Sequence, residues 1–381
     1  MDQVQHFDCA VIGLGLAGAA ALNALARRGI KVVGLEQYDR LNTLGSSHGS
    51  TRLVRVAYFE GAEFVPMARH ALDLWRDLET RTGQSLFRPT GVIYGGRAQS
   101  AFMTSMHQAA AAHSVALDAG IPQPPRFSFP DDFEWALDHE AGYLHAEPAL
   151  SALLDEAQQA GATIRTRCPC TALTPNAEGV LVTTRDGALQ ARHVIVTTGA
   201  WVDQLLPSLK SVTHIERQVL HWFKDPTGAF RHEAGFRPFA IQTNEGNLFY
   251  GFPTDADGLV KVAEHLSGTR IAGLEALDRT LSPEDTAYVT GFVRAHMPEL
   301  GDYDHGTVCM YPMARDDIFI LDRHPTEPHI TLGVGLSGHG FKFGPAIGEA
   351  LANLALGTEQ HPTFPTQFFS TARFVDVDLS S

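Results

Sequence analysis

Three short motifs hold the residue types in this sequence that could do chemistry. Residues 13–18 read Gly-Leu-Gly-Leu-Ala-Gly, which is a Gly-x-Gly-x-x-Gly fingerprint. Cys309 precedes Met-Tyr-Pro, and about thirty residues later residues 337–343 read Ser-Gly-His-Gly-Phe-Lys-Phe. A fingerprint near one end, with a thiol and a lysine near the other, predicts a chain that holds a dinucleotide cofactor at both ends of its sequence.

The fingerprint has the flanking elements that dinucleotide binding requires. Phe7–Ile12 reads as a short buried strand, Ala19–Arg28 is rich in helix-forming Ala and Leu, and Lys31–Leu35 reads as a second strand. This strand–turn–helix–strand order is the context in which the fingerprint binds a pyrophosphate. The alternative is a glycine-rich turn in another kind of α/β protein.

Each fingerprint glycine has a physical role in such a site. Gly13 permits the tight turn, Gly15 lets the backbone approach the pyrophosphate, and Gly18 lets helix and strand pack closely. Glu36 follows the second strand and can accept hydrogen bonds from ribose hydroxyls, which argues against the 2′-phosphate of NADP. These residues do not distinguish FAD from NAD.

The polar segment after the second strand contains a histidine and two arginines. Loops at the carboxyl ends of strands face the ligand crevice in a Rossmann-type sheet. Arg52 and Arg55 are three residues apart, so a helical turn would place both on one face. The alternative is a pair of surface arginines in a loop.

Two later segments resemble further cofactor contacts. A strand ends in Thr-Gly-Ala at residues 198–200, where Gly199 could bring the backbone to the dinucleotide; an ordinary strand-to-helix turn is the alternative. Ala346–Leu356 reads as a helix with Pro345 at its start. A helix N-terminus aimed at a flavin ring would stabilise negative charge on the reduced ring.

A second sheet is predicted for residues 216–260, which alternate in β fashion and could form a roof over a substrate. Lys261 follows between two valines. A lysine in such a strand usually faces solvent, whereas a buried one would be a fixed cation. By itself, Cys309 fits a buried apolar position better than a reactive thiol.

Composition excludes several classes of protein. The 29 basic and 43 acidic residues give a net charge of −14, which disfavours nucleic acids and anionic membranes as partners. Four cysteines in 381 residues do not make a disulfide scaffold, and Cys168-Pro169-Cys170 is too short for the Cys-x-x-Cys metal spacing. With no run of 18 apolar residues, we expect a cytoplasmic protein without metal, nucleic-acid or membrane partners.

Four motifs together carry a family resemblance. Residues 47–52 (Ser-His-Gly-Ser-Thr-Arg), 250–253 (Tyr-Gly-Phe-Pro), 309–311 (Cys-Met-Tyr) and 338–343 (Gly-His-Gly-Phe-Lys-Phe) occur in the order and spacing of one family. Over nearly its whole length the chain resembles the monomeric sarcosine oxidase and N-methyltryptophan oxidase family.

The resemblance implies FAD as the cofactor, attached through the sulfur of Cys309 to the flavin 8α-methyl group. Lys261 matches the oxygen-activating lysine of the family, while Arg55 and Lys342 match the pair that clamps a substrate carboxylate. The full set of predicted site residues comprises, for catalysis, Lys261, Arg52, His48, His265 and Tyr311; for the substrate, Arg55, Lys342 and Tyr250; and, for the cofactor, Gly13, Gly15, Gly18, Glu36, Ser47, Arg52, Gly199, Cys309, Gly338, Gly340 and Lys342.

The sequence departs from the family pattern on the substrate side. Ser47 and Ser50 replace a histidine and an aspartate, Val56 stands where a histidine is common, and Pro312 follows Tyr311. The substrate therefore stays open among N-methyl amino acids, cyclic imino acids and N-glycated amino acids.

These observations predict a two-domain α/β protein, with a Rossmann-type FAD-binding domain and a second, mainly antiparallel substrate domain. The predicted FAD-binding domain comprises residues 1–85, 145–215 and 305–381, and the substrate domain residues 86–144 and 216–304. The expected function is oxidation of a secondary amine to an imine, with O2 reduced to hydrogen peroxide, by a monomer. A dehydrogenase that passes electrons to a carrier and a non-catalytic flavoprotein are the alternatives.

Overall fold

The computed structural model describes residues 4–375 and 377. The strands of the described chain are β1 (Gln5–Ile12), β2 (Val32–Leu35), β3 (Thr51–Val54), β4 (Phe87–Arg88), β5 (Val92–Arg97), β6 (Leu117–Ala119), β7 (Phe133–Asp138), β8 (Gly142–His145), β9 (Thr163–Arg165), β10 (Cys170–Asn176), β11 (Gly179–Thr184), β12 (Gly187–Val196), β13 (Thr213–Lys224), β14 (Phe239–Gln242), β15 (Leu248–Gly251), β16 (Leu259–His265), β17 (Thr269–Ile271), β18 (Tyr303–Ala314), β19 (Ile320–Arg323) and β20 (Ile330–Val334). The α-helices are α1 (Leu16–Arg27), α2 (Phe64–Thr82), α3 (Ala101–His113), α4 (Ala146–Gln159), α5 (Val202–Leu205), α6 (Pro283–His296), α7 (Gly344–Leu356) and α8 (Thr366–Phe369).

The first sheet has eight strands and carries the fingerprint. Its order is β10-β11-β12-β1-β2-β9, with β20 beside β12 and β19 beside β20. The strands β9, β2, β1, β12 and β20 run parallel to one another. Every residue of β2 and β20 is buried, as expected for parallel strands that are covered on both faces. Their carboxyl ends meet at one edge, which is where open α/β sheets bind ligands.

Helix α1 is held against this sheet by close packing with α7. A Cβ atom added at Gly348 of α7 would lie 2.3 Å from the backbone carbonyl carbon of Ala20 in α1. Only glycine therefore allows the two helices to approach this closely. The contact fixes the N-terminus of α1 at the ligand edge of the sheet.

The second sheet has nine strands, in the order β17-β13-β16-β15-β14-β5-β7-β6, with β18 beside β13. Its strands are antiparallel except for the pair β14 and β5. The long pairing of β13 with β18 places Cys309 opposite Gln218 and Tyr311 opposite Glu216. A third, small sheet has the order β3-β8-β4.

The predicted fold class, a mixed α/β protein with a parallel sheet and a second, mainly antiparallel sheet, is confirmed. The predicted division into domains stays a prediction; its boundary at residue 305 falls inside β18, which belongs to the second sheet, and its outermost residues lie outside the described chain. Across residues 4–375 and 377, no helix is both long and apolar enough to cross a membrane.

One local expectation about the cofactor loops is wrong. Arg52 lies in strand β3 and Arg55 follows that strand, so a helical turn does not bring them together. The predicted helix Ala346–Leu356, with Pro345 in its first turn, is confirmed; it extends back to Gly344, and a one-turn 3-10 segment, Phe341–Phe343, precedes it. This short segment, rather than the helix N-terminus, reaches the cavity described below.

Candidate cofactor and active site

A cavity of about 520 Å³ extends from the fingerprint to the second sheet. At one end it is lined by residues 12–17 and Glu36, and at the other by Lys261, His265 and residues of β18. All predicted site residues line this cavity except His48 and Gly18. Residues from both ends of the sequence therefore form one continuous wall, as the separated motifs predict.

The fingerprint glycines are required by their surroundings. Gly13 has a φ of +89°, and a Cβ there would lie 2.7 Å from the carbonyl oxygen of Thr197. At Gly18 a Cβ would lie 1.8 Å from the carbonyl oxygen of Gly13, which explains why this residue packs the helix and does not line the cavity. The turn thus brings the N-terminus of α1 to the cavity, where its N–H groups favour an anion.

Glu36 organises the loop around the same end of the cavity. Its carboxylate accepts hydrogen bonds from the backbone N–H of Leu14 at 2.9 Å and of Tyr38 at 3.0 Å. The hydroxyl of Ser47 accepts the N–H of Leu16 at 3.0 Å, close to the start of α1. Glu36 therefore holds the fingerprint loop and the turn after β2 together, at the place where the ribose of a dinucleotide would bind.

Arg52 ties together the loop between the first sheet and β3. Its guanidinium donates to the carbonyl oxygens of Ser46 at 3.0 Å and Thr51 at 2.9 Å, and also to that of His48. The carbon Cζ lies 5.3 Å from the centre of the Phe341 ring. Because its donors are engaged with backbone carbonyls, Arg52 acts on the cavity by holding this loop in place.

Lys261 is a buried cation whose side chain is 4% exposed. Its Nζ donates to the carbonyl oxygen of Thr51 at 2.9 Å and lies 4.3 Å from the centre of the Phe252 ring. Burial, reinforced by the charge of Arg52, lowers the pKa of Lys261 well below its usual value. Lys261 is therefore buried in the cavity wall rather than facing solvent, and its charge depends on the groups around it.

Cys309 lies on β18 in the same wall, packed with Leu220 and Ala263. Burial raises the pKa of its thiol to about 11, although Arg52, Lys261 and Arg279 each act to lower it. The thiol thus faces the cavity near three cationic side chains.

Arg55 is the second buried cation, and its partner is a residue that the sequence analysis missed. Both guanidinium nitrogens pair with the carboxylate of Glu60, Nη1 with Oε2 at 2.9 Å and Nη2 with Oε1 at 2.5 Å. The Tyr58 and Phe59 rings lie 4.7 Å and 4.1 Å from Cζ of Arg55. Burial would raise the pKa of Glu60, but the charge of Arg55 lowers it to about 2.

Lys342 lies beside this pair, 5% exposed, on the 3-10 segment that reaches the cavity. Burial lowers its pKa well below the usual value and Arg55 lowers it further, whereas Glu60 acts in the opposite direction. Two buried basic side chains, Arg55 and Lys342, and one carboxylate therefore meet at this end of the cavity.

His265 lines the cavity on β16, the strand that also carries Lys261, and lies near the Arg55–Glu60 pair. Its ring lies 6.2 Å from that of Tyr250 and 6.1 Å from that of Tyr311, measured between centroids. Burial lowers the pKa of His265 to about 4, so the ring is neutral at physiological pH. Its Nε2 lies 3.9 Å from Oε1 of Glu60 and, within the described chain, has no hydrogen-bond partner.

His48 does not line the cavity, and its predicted catalytic role stays a prediction. It belongs to the loop that Arg52 holds, but its side chain is not part of the cavity wall. Burial, together with the charge of Arg52, lowers its pKa to about 4. The histidine is thus close to the cavity without lining it.

The cavity has unsatisfied polar atoms that suit a large polar cofactor. In the described part of the chain, Oγ1 of Thr51, Oγ1 of Thr198 and Nε2 of His265 are buried without hydrogen-bond partners, and all three residues line the cavity. Buried polar groups normally find partners, so the missing ones point to a bound molecule. Together with the glycine cradle at α1, the residues present fit a flavin dinucleotide.

Comparison with known proteins decides the family. Residues 8–354 match the model of the FAD dependent oxidoreductase family. The chain belongs to this family. It is 34% identical to the monomeric sarcosine oxidase of Bacillus sp. (strain NS-129) over 368 residues, which is 93% of this chain and 95% of that protein.

Two further comparisons agree with this assignment. The chain is 34% identical to the N-methyl-L-tryptophan oxidase of Yersinia pestis (strain Pestoides F) over 374 residues, 97% of this chain and 99% of that protein. The solved structure of NikD, an amino acid oxidase essential for nikkomycin biosynthesis, has the same fold, with a TM-score of 0.84, 24% identity and coverage of 96% and 97% of the two chains. The family resemblance and the dependence on FAD are confirmed.

Proposed function

We propose that this protein oxidises the C–N bond of a secondary amine that carries a carboxylate, giving an imine that water hydrolyses. The proposal is carried by Arg55 and Lys342, two buried basic side chains at one end of a cavity that also holds the amine of Lys261 and the thiol of Cys309. Bound FAD would supply the chemistry by accepting two electrons and one proton, the equivalent of a hydride, from the carbon beside the amine nitrogen, while the nitrogen gives up its own proton.

The carboxylate end of the substrate is bound by Arg55 and Lys342. A guanidinium can bind a carboxylate through two parallel hydrogen bonds, and an ammonium adds a point charge. Glu60 already makes two such bonds to Arg55, so a substrate carboxylate that binds through the same two nitrogens displaces it. The Glu60 carboxylate thereby holds Arg55 in place before the substrate arrives.

The amine end lies toward His265 and Tyr250. Amine oxidation starts from the neutral amine, because a protonated nitrogen cannot release its electron pair. A neutral His265 with a free Nε2 can hydrogen-bond to that nitrogen without adding a positive charge beside it. Tyr250 and Tyr311 close the wall behind it.

Lys261 serves the reaction with O2, and Cys309 tethers the cofactor. A fixed ammonium stabilises negative charge that develops on oxygen, without reorganisation at the moment of reaction. Cys309 is the residue at which we propose the covalent bond to the flavin 8α-methyl group. The protein would act as a cytoplasmic monomer on a small amine, with O2 as the second substrate.

An amine panel tests the proposal. The holoenzyme is mixed anaerobically with N-methyl amino acids, cyclic imino acids and N-glycated amino acids, and with matched secondary amines that lack the carboxylate, while the flavin absorbance is followed. We expect at least one of the carboxylate-bearing amines to bleach the flavin and its matched amine to fail. Bleaching that does not depend on the carboxylate, or no bleaching by any amine, would overturn the proposal.

A further inference from the structure

A buried chain of hydrogen bonds leads away from Nζ of Lys342 through Tyr58 and His339. Nζ of Lys342 donates to the hydroxyl of Tyr58 at 3.1 Å and to the carbonyl oxygen of His339 at 2.8 Å. The Tyr58 hydroxyl lies 2.6 Å from Nδ1 of His339, and Nε2 of His339 lies 3.3 Å from the carbonyl oxygen of Asp317. All three side chains, Lys342, Tyr58 and His339, are buried.

The partners at the end of the chain fix the direction in which the hydrogen bonds run. The Asp317 carbonyl can only accept, so Nε2 of His339 carries the proton and Nδ1 accepts from Tyr58. The lone pairs of the Tyr58 oxygen then remain to accept from Lys342. If the hydrogen bonds ran the other way, Nε2 would carry no proton and would face the Asp317 carbonyl oxygen. Both atoms are acceptors, so both would be buried without a hydrogen bond.

The ring of His339 has little freedom to reverse this order. Its centroid lies 4.6 Å from that of Phe319, 5.5 Å from that of Phe64 and 5.9 Å from that of Tyr58. Burial lowers the pKa of His339 to about 3, so the ring is neutral at physiological pH and carries a single proton. One tautomer is therefore selected by the Asp317 carbonyl.

The charge of Lys342 depends on these acceptors. Around it, Arg55 and burial favour the neutral amine, Glu60 favours the ammonium, and Tyr58, His339 and His265 are neutral. The rings of Tyr58 and Phe343 lie 5.0 Å and 5.1 Å from Nζ, where their faces attract a cation. With two N–H groups engaged by Tyr58 and His339, the third is left for the cavity.

We propose that His339 is a positioning residue that acts through Tyr58 on Lys342, keeping Nζ charged and its third N–H directed at the substrate carboxylate. This inference rests on the proposed carboxylate clamp. The glycines on either side of His339, Gly338 and Gly340, have a different role in the same loop. Gly338 is required by space, because a Cβ there would lie 2.3 Å from the Tyr311 ring.

Binding of acetate to the oxidised holoenzyme, followed by the flavin absorbance from pH 6 to pH 10, tests the inference. In His339→Phe the aromatic packing remains but the hydrogen bond to Tyr58 is lost. We expect acetate to bind about tenfold more weakly near neutral pH, since a hydrogen bond to a charged group is lost from the network. The pH above which binding disappears should also fall, because the ammonium of Lys342 loses its proton more easily.

Two matched variants separate a positioning role from a structural one. In His339→Gln the amide can accept from Tyr58 and donate to Asp317, so we expect the pH profile to be restored. Tyr58→Phe should give the profile of His339→Phe, and the double variant should be no worse than either, because both residues act through one chain. Effects that add, or an unchanged pH profile in Tyr58→Phe and His339→Phe, would overturn the inference.

Lys342→Met makes the failure of the inference distinguishable from failure of the proposed function. If acetate binds to Lys342→Met as it does to the unaltered enzyme, the carboxylate clamp is wrong, and the inference falls with it. If Lys342→Met loses acetate binding while His339→Phe and Tyr58→Phe keep the normal pH profile, the carboxylate clamp stands and the inference alone is wrong.

Discussion

Lys261 and Lys342 are both buried lysines with lowered pKa values, but their surroundings suit different tasks. Lys342 lies beside Arg55, whose guanidinium already pairs with the side-chain carboxylate of Glu60. Lys261 contacts the carbonyl of Thr51 and the face of Phe252, and the positive charge of Arg52 lowers its pKa. A cation without a paired carboxylate is suited to negative charge that appears only during the reaction with O2.

Replacing Lys261 with Met should slow flavin reoxidation far more than flavin reduction. Removing one preorganised charge costs about two to three orders of magnitude in rate. Stopped-flow measurement of anaerobic reduction and of reoxidation in air separates the two steps, and peroxide released in air distinguishes an oxidase from a dehydrogenase. Equal slowing of both steps would show that Lys261 has a general structural role.

Glu60 should oppose substrate binding while it supports folding. Its pKa of 4.5 in an unfolded chain falls to about 2 in the folded protein, so the ionised group stabilises the fold above pH 4.5. That contribution is lost as the pH falls towards 2. In Glu60→Gln we expect a less steep loss of stability with acid, and about 3 kcal/mol lower stability at neutral pH because Arg55 is left unpaired.

The same variant should bind simple carboxylates more tightly, because Arg55 no longer has a competing partner. Urea unfolding at a series of pH values and acetate titration of the holoenzyme measure the two effects. Glu63→Gln, at an exposed neighbour, is the control and should change stability by no more than about 0.5 kcal/mol. Weaker acetate binding in Glu60→Gln would contradict the displacement of Glu60 by substrate.

At the scale of elements, the sequence predicts best where a signal is local. The strand, turn and helix at residues 5–27 are predicted because glycines and a hydrophobic run lie within one short segment. Strand β3 is missed because its partner, β8, lies about ninety residues later in the sequence. Glu60 is missed for a related reason, since no spacing indicates that a loop returns its carboxylate to Arg55.

The contact between α1 and α7 can be tested with two glycines that both lie inside helices. Gly348→Ala places a methyl group 2.3 Å from the backbone of Ala20, so the helices must separate, and we expect a loss of about 1–3 kcal/mol. Gly291→Ala in α6 meets nothing within 4 Å and should gain about 0.5–1 kcal/mol from helix propensity. Urea unfolding of both variants measures the difference, and equal effects would contradict close packing at Gly348.

At the scale of the whole molecule, the cavity joins parts of the chain that are far apart in sequence. The first sheet contributes the fingerprint and Glu36, and the second contributes Lys261, Cys309 and Tyr250. The motifs predicted most of the cavity wall because each is a local pattern. Which of their side chains contact one another could not be predicted, because the pairing of β13 with β18 joins segments about ninety residues apart.

The cradle for the cofactor and the proposed tether lie on different sheets. The glycine cradle, Glu36 and Gly199 lie at the first sheet, whereas Cys309 lies on β18 of the second sheet. In Cys309→Ser we therefore expect the native protein to remain yellow, because the cradle is intact, while denaturation releases the flavin. A fluorescent band on a denaturing gel, and an adduct mass on the peptide that contains residue 309, should be present in the unaltered protein and absent in the variant.

Cys168→Ser, at a buried thiol in the same cavity wall, is the matched control and should keep the band. A band that survives in Cys309→Ser would place the bond elsewhere, and a colourless native variant would mean that the tether, rather than the cradle, retains the cofactor.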